Sequence, residues 1–147
     1  MSFKKILIAH DFSEPADRAA RYARDVARQI GAKLEAVYVM PDLYDGRADQ
    51  IVTLPITAPG EPERYLEFLR MELARALKNA LGPDAEDVLT HALRGDTVRR
   101  IEALAAEVGA DAICVAATGK GAVARVLMGS TSQLLLRSSV IPVLVVP

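Results

Sequence analysis

The stretch Leu93–Ala117, LRGDTVRRIEALAAEVGADAICVAA, contains the change of period that decides the fold. Val98, Ile101, Leu104, Ala105 and Val108 recur at helical spacing, Gly95-Asp96-Thr97 supplies a start signal, and Gly109 a stop. After Ala110 and Asp111 the pattern becomes the unbroken apolar run Ala112–Ala116, as in a parallel strand buried on both faces. A helix that feeds such a strand is half of a crossover unit.

The same alternation extends in both directions. Ile6–Ala9 is a short apolar run. It is followed by a helix carrying Ala16, Ala19, Ala20, Ala23, Val26, Ala27 and Ile30 on one face, with Ser13 as N-cap, Pro15 in the first turn and Gly31 as the stop. Leu34–Met40 reads as a second strand. Tyr65, Leu69, Leu73, Ala76, Leu77 and Ala80 mark a helix closed by Gly82-Pro83, and a third strand lies within Val88–Leu93. Ser130–Arg137 is the core of a last helix and Val143–Val146 a fifth strand. Strands alternating with helices predict an α/β fold: an open, doubly wound, five-stranded parallel sheet with helices on both faces. At 147 residues the chain is expected to be a single domain, residues 1–147. The stretch Pro41–Gly60 has no clear period, which in a compact domain points to a lid, a subunit contact or an insertion.

Composition narrows the function. The chain is 51% hydrophobic and 25% charged, with a net charge of −1, an ordinary globular balance that disfavours nucleic acid as the partner. Met1–Ala9 is too short and too charged for a signal peptide, and no apolar run approaches membrane-spanning length, so a cytoplasmic protein with no membrane partner is expected. The single Cys114 lies inside an apolar run and reads as a small core residue. His91 alternates with Leu89 and Leu93 and reads as structural.

The residues after Asp111 are anomalous. In a chain with 19 acidic residues, this segment contains none and carries Lys120, Arg125 and Arg137. Within it, ATGKGAVARVLMGSTS (Ala117–Ser132) follows directly on the fourth strand. A P-loop would need Gly at the position of Cys114 and Ser or Thr after Lys120, so that solution fails. Gly119-Lys-Gly121-Ala-Val-Ala124 has the spacing of a dinucleotide fingerprint, but that mechanism needs an acid about twenty residues on, and none follows Asp111.

A third solution fits. Gly119, nine residues, then Gly129-Ser130 resembles the ATP-binding signature of the universal stress protein family, which reads Gly, two residues, Gly, nine residues, Gly with Ser or Thr. KKILIAHDFSEPADRAARYARDVA (Lys4–Ala27), Leu93–Ala117 and the terminal SSVIPVLVVP are similar to the same family in the same order. The first signature glycine falls at position 116, where this chain has Ala116. The substitution is costly, by roughly 1 kcal/mol, only where the backbone needs a positive φ or touches the ligand.

The resemblance implies a sheet order of 3-2-1-4-5 and ATP, with magnesium or manganese, beyond the carboxyl ends of strands one and four. It places Ala9, His10, Asp11, Val39, Ala116, Gly119, Lys120, Gly129, Ser130 and Thr131 at that nucleotide, with Asp11 and the main chain of Val39 on the adenine. It also implies a homodimer paired through Pro142–Val146, an apolar run that this order leaves at a sheet edge. The residues themselves leave alternatives open. Asp11 is also a natural Asx-turn residue, Ser130 either caps the last helix or meets phosphate or metal, and His10 reads as polar lining. No catalytic residue is expected, because His10 has no base or nucleophile partner in the sequence. HDFSEP lacks the Ser-Gly-Gly loop or His-x-Gly-His pair of ATP-using transferases on related folds, and the acidic cluster of a phosphorylated receiver. The competing function is a stress protein that binds no nucleotide and acts through protein contacts alone.

Overall fold

The computed structural model describes residues 2–41, 61–119 and 128–147. The readings made for Lys120, Arg125 and residues 42–60 lie outside them. Five parallel strands form one sheet in the order β3-β2-β1-β4-β5. They are β1 (Lys5–Ala9), β2 (Lys33–Met40), β3 (Leu89–Arg94), β4 (Ala112–Ala116) and β5 (Val143–Val146). The helices are α1 (Glu14–Ile30), α2 (Glu61–Leu81), α3 (Thr97–Val108) and α4 (Ser130–Ser138), with a 3-10 turn at Gly82–Ala85.

Local chemistry sets the ends of the helices. The Ser13 side chain accepts from the Ala16 N–H at the start of α1, and Gly31 closes that helix with φ of 71°. Asp96 accepts from the Arg99 N–H at the start of α3, and Gly109 ends it with φ of 69°. On α1 the small residues Ala16, Ala19, Ala20, Ala23 and Ala27 are buried, letting the helix lie close to the sheet. Ile30, expected on that face, is exposed as the last residue of α1 before the Gly31 cap. Arg24 takes a buried place instead and donates through Nη2 to the Asp84 carbonyl at 2.6 Å and to Asp87.

The pleat sends alternate residues to two cores. Ile6, Ile8, Leu34, Ala36, Cys114 and Ala116 pack under α1 and α2, with Leu73 and Leu77. Leu7, Ala9, Val37, Val39, Ile113 and Val115 pack under α3 and α4, with Ile101, Leu104 and Leu135. Burial pushes the Cys114 thiol up to about 12, so it is an inert core group.

His91 has the expected structural role. Its Nε2 lies 2.7 Å from Glu35 Oε2, while Lys5 Nζ lies 2.8 Å from Glu35 Oε1 and donates to the Val108 carbonyl. Burial alone would raise the Glu35 carboxyl, but Lys5 and His91 outweigh it and hold the group below its ordinary value of 4.5. A carboxyl lowered on folding stabilises the fold above its unfolded pKa and loses that contribution as pH falls through the folded value. We therefore expect the urea midpoint to fall as pH drops below about 4.5. Glu35→Gln should flatten this acid limb, and an unchanged limb would show that other carboxylates set it.

Candidate functional site

The sheet order reverses between β1 and β4, whose following helices α1 and α4 lie on opposite faces of the sheet. A cleft of about 500 Å³ opens there, within the roughly 300–1,000 Å³ usual for small-molecule sites. Its floor includes the apolar ends of the strands: Ala9, Val37, Val39, Val115 and Ala116. Polar groups reach it from the loops: Asp11 after β1, Thr118 and Gly119 after β4, and Gly129, Ser130 and Thr131 where α4 begins. Every site position expected from the sequence that lies among the described residues borders this one cleft; Lys120 lies outside that set.

Asp11 and Gly119 come together across the cleft. A methyl added at Gly119 would lie 2.6 Å from Asp11 Oδ2, so no side chain fits there without displacing the carboxylate. The same carboxylate accepts through Oδ1 from the Ser13 N–H at 3.0 Å and from the Ser13 hydroxyl. The Asx-turn geometry therefore exists, and it leaves Oδ2 directed toward the β4 loop. Gly129 is less crowded. Its N–H donates to the Ala117 carbonyl at 2.6 Å, and an added Cβ would meet that carbonyl oxygen at 3.4 Å and the Gly119 nitrogen at 3.6 Å.

Ser130 does not cap α4. Gly129 holds the N-cap position with no side-chain bond, because an extended backbone (φ −63°, ψ 156°) already turns the chain there. The hydroxyl that ties this start down is Ser132 Oγ, which donates to the Gly129 and Ala117 carbonyls at 2.9 and 3.1 Å. That bond leaves Ser130 exposed at the head of the helix, where the first N–H groups have no intrahelical acceptor and the dipole is positive. Ala116 takes ordinary strand geometry, opposite Val146. Phe12 is the one non-glycine residue with positive φ among those described. The Ala116 methyl belongs to the core under α1, so the backbone there does not require glycine.

His10 borders the cleft, but its ring points inward, with the side chain fully buried. Its Nδ1 accepts from the Phe12 N–H and its Nε2 lies 2.9 Å from Asp17 Oδ1. His10 thus borders the cleft with both ring nitrogens engaged within the protein. Tyr38 lies beside this loop, its ring 4.6 Å from that of Phe12. Burial, with Tyr65 and Asp11 nearby, raises the Tyr38 hydroxyl above its ordinary value.

Some lining residues were not anticipated. Thr97 and Ile101 of α3 border the cleft, as do Pro41 and Ser132. The start signal Gly95-Asp96-Thr97 was a cue for Thr97, since a helix that follows a parallel strand begins at the carboxyl end of the sheet. Ile101 had no signal separating it from any other core residue. Among the described residues, no cluster of three His, Cys, Asp or Glu side chains could hold a metal ion, and no helix is long and apolar enough to cross a membrane.

Fold and cleft together define a doubly wound α/β protein with a polar-rimmed cleft at its switch point. The chain belongs to the universal stress protein family, whose sequence model matches residues 2–147. It is 32% identical to a universal stress protein of Methanocaldococcus jannaschii, over 98% of this chain and 82% of that protein. It is 36% identical to one from Thermus aquaticus, over 98% of both. Among solved structures, a universal stress protein of Lactobacillus plantarum superposes with a TM-score of 0.74 at 22% identity, covering 100% of this chain and 99% of the other. One from Archaeoglobus fulgidus in complex with dAMP gives 0.63 at 21% identity over the full length of both. A universal stress protein in complex with cAMP gives 0.66 at 23% identity, covering 99% and 98%.

Proposed function

We propose that this protein binds an adenine nucleotide, ATP with magnesium or manganese, in the cleft beyond β1 and β4, and acts as a cytoplasmic homodimer in stress regulation. The observation that carries this reading is the gathering of Asp11, Val39, Gly119, Gly129, Ser130 and Thr131, distant in sequence, around one cleft. Val39 and its apolar neighbours suit a flat base. The N–H groups at Gly119 and at the start of α4 suit phosphate oxygens, which backbone donors at a helix start bind without a dedicated cation. Related proteins in complex with cAMP and dAMP support the adenine assignment. The divalent ion would enter with the triphosphate, and the Ser130 and Thr131 hydroxyls are the groups placed to meet it.

The protein holds the nucleotide and does not turn it over beyond weak hydrolysis. A general base must reach an attacking water, whereas the His10 ring is engaged at both nitrogens and the Asp11 carboxylate holds Ser13. Calorimetry with ATP and magnesium should give micromolar affinity, about 8 kcal/mol, and mass spectrometry should detect nucleotide released from the purified protein. If millimolar ATP, cAMP and dAMP all leave the calorimeter silent, the ligand-free reading replaces this one.

The dimer rests on β5, which lies at the sheet edge. On this strand Leu144 is 37% exposed, and Leu134, Leu136 and Val140 are also exposed. An apolar edge of this kind invites strand pairing across a two-fold axis. Leu144→Lys places charges at the pairing edge without entering the core under α3 and α4. It should yield a monomer in sedimentation, and a dimer of undiminished affinity would place the contact elsewhere.

A further inference from the structure

We infer that His10 is a positioning residue for the cleft: its Nδ1 holds the Phe12 amide, and this bond sets where Asp11 stands. The nucleotide part of this inference rests on the reading of the cleft given above. The Phe12 N–H can donate only to an unprotonated ring nitrogen, and it does so to Nδ1 at 2.9 Å. The ring proton is therefore on Nε2, which donates to Asp17 Oδ1 at 2.9 Å. The ring is fully buried and packs edge-on to Phe12, with centroids 5.8 Å apart. Asp17 fixes the imidazole from α1, and the imidazole in turn fixes the loop.

The loop needs this support because Phe12 has φ of 65°, a left-handed conformation that a residue with a Cβ rarely adopts. The His10 N–H also donates to the Val37 carbonyl at 2.9 Å, extending the β1–β2 pairing to the last residue before the bend. Asp11 is the single residue between these anchors. Its direction, with Oδ1 on Ser13 and Oδ2 against Gly119, follows from them. The ring reaches no ligand, because both nitrogens are spent inside the protein.

Amide isosteres separate the two bonds. In His10→Asn the side-chain oxygen stands where Nδ1 stood and can accept from Phe12, but nothing reaches Asp17. In His10→Gln the amide nitrogen reaches toward Asp17 and the Phe12 acceptor is lost. With ATP and magnesium as the calorimetric probe, His10→Asn should bind within about threefold of wild type, and His10→Gln and His10→Ala should bind at least about tenfold more weakly, the worth of one lost buried hydrogen bond. Amide exchange at Phe12 should follow the same order, slow in wild type and His10→Asn and fast in the other two. Equal affinity and exchange in all variants would overturn the inference, as would a preference for His10→Gln over His10→Asn. Loss of affinity in His10→Asn with Phe12 still protected would mean that the ring touches the ligand, and would also overturn it. If wild type ignores ATP while Phe12 exchange keeps the expected order, the loop role stands and the nucleotide reading falls.

Discussion

Gly119→Ala is expected to weaken adenine-nucleotide binding at least about hundredfold, a loss near 3 kcal/mol, while leaving the folded state intact. The new methyl would lie 2.6 Å from Asp11 Oδ2, closer than real side-chain carbons approach. Asp11 cannot simply turn aside, because its other oxygen accepts from the Ser13 backbone and hydroxyl. Either the carboxylate swings into the cleft, placing negative charge where phosphate must bind, or the β4 loop withdraws its backbone donors. Gly129→Ala is the contrasting case. Its added carbon meets the Ala117 oxygen at 3.4 Å, an ordinary contact, so affinity should change by less than about threefold. Gly129→Val adds two methyls against the Gly119 amide, 3.6 Å from the new Cβ, and should weaken binding at least as much as Gly119→Ala does. Calorimetry on the three variants, with circular dichroism to verify folding, checks the order. Wild-type affinity in Gly119→Ala would remove the β4 loop from the site.

The largest loss of stability is expected from Leu7→Ala, about 3 kcal/mol in urea unfolding with an unchanged slope. Leu7 lies on the central strand with no exposed surface, packed among Val37, Ile101, Ile113 and Leu135 under α3 and α4. A sheet and two helices meet around it, so the surroundings cannot close over the space the side chain leaves. Leu134→Ala is the matched control. Leu134 is 51% exposed, and its loss in the monomer should stay within about 0.5 kcal/mol. Similar destabilisation in both would mean that the α4 face is buried by another subunit, a result that sedimentation would also detect.

What the amino-acid order determined by itself was everything local. Ser13, Gly31, Asp96 and Gly109 end α1 and α3 where caps and left-handed glycines should, because these signals act over three or four residues. Ala112–Ala116 and Val143–Val146 became strands with the expected bounds, since a strand buried on both faces must be apolar throughout. The alternation of strands and helices implied a parallel sheet, and the motif at Gly119 and Gly129-Ser130 pointed to the end of it where the cleft opens. The strand order came through resemblance, and the observed pairing β3-β2-β1-β4-β5 bears it out.

Only the tertiary structure decided what single side chains do. Ile30 kept the helical period yet lies exposed, since period alone does not say how the last turn of a helix packs. Ser130 had a cap residue's chemistry, but Ser132 ties down the start of α4 because its hydroxyl meets the Ala117 carbonyl just after β4. Ala116 departs from the signature without backbone strain, since β5 holds it as a strand residue. The crowding of Gly119 by Asp11 and the Lys5–Glu35–His91 network join groups far apart in the chain. A sequence pattern records which face a residue takes within its own element. Which partner it meets depends on how the elements pack, and that is set by the whole core at once.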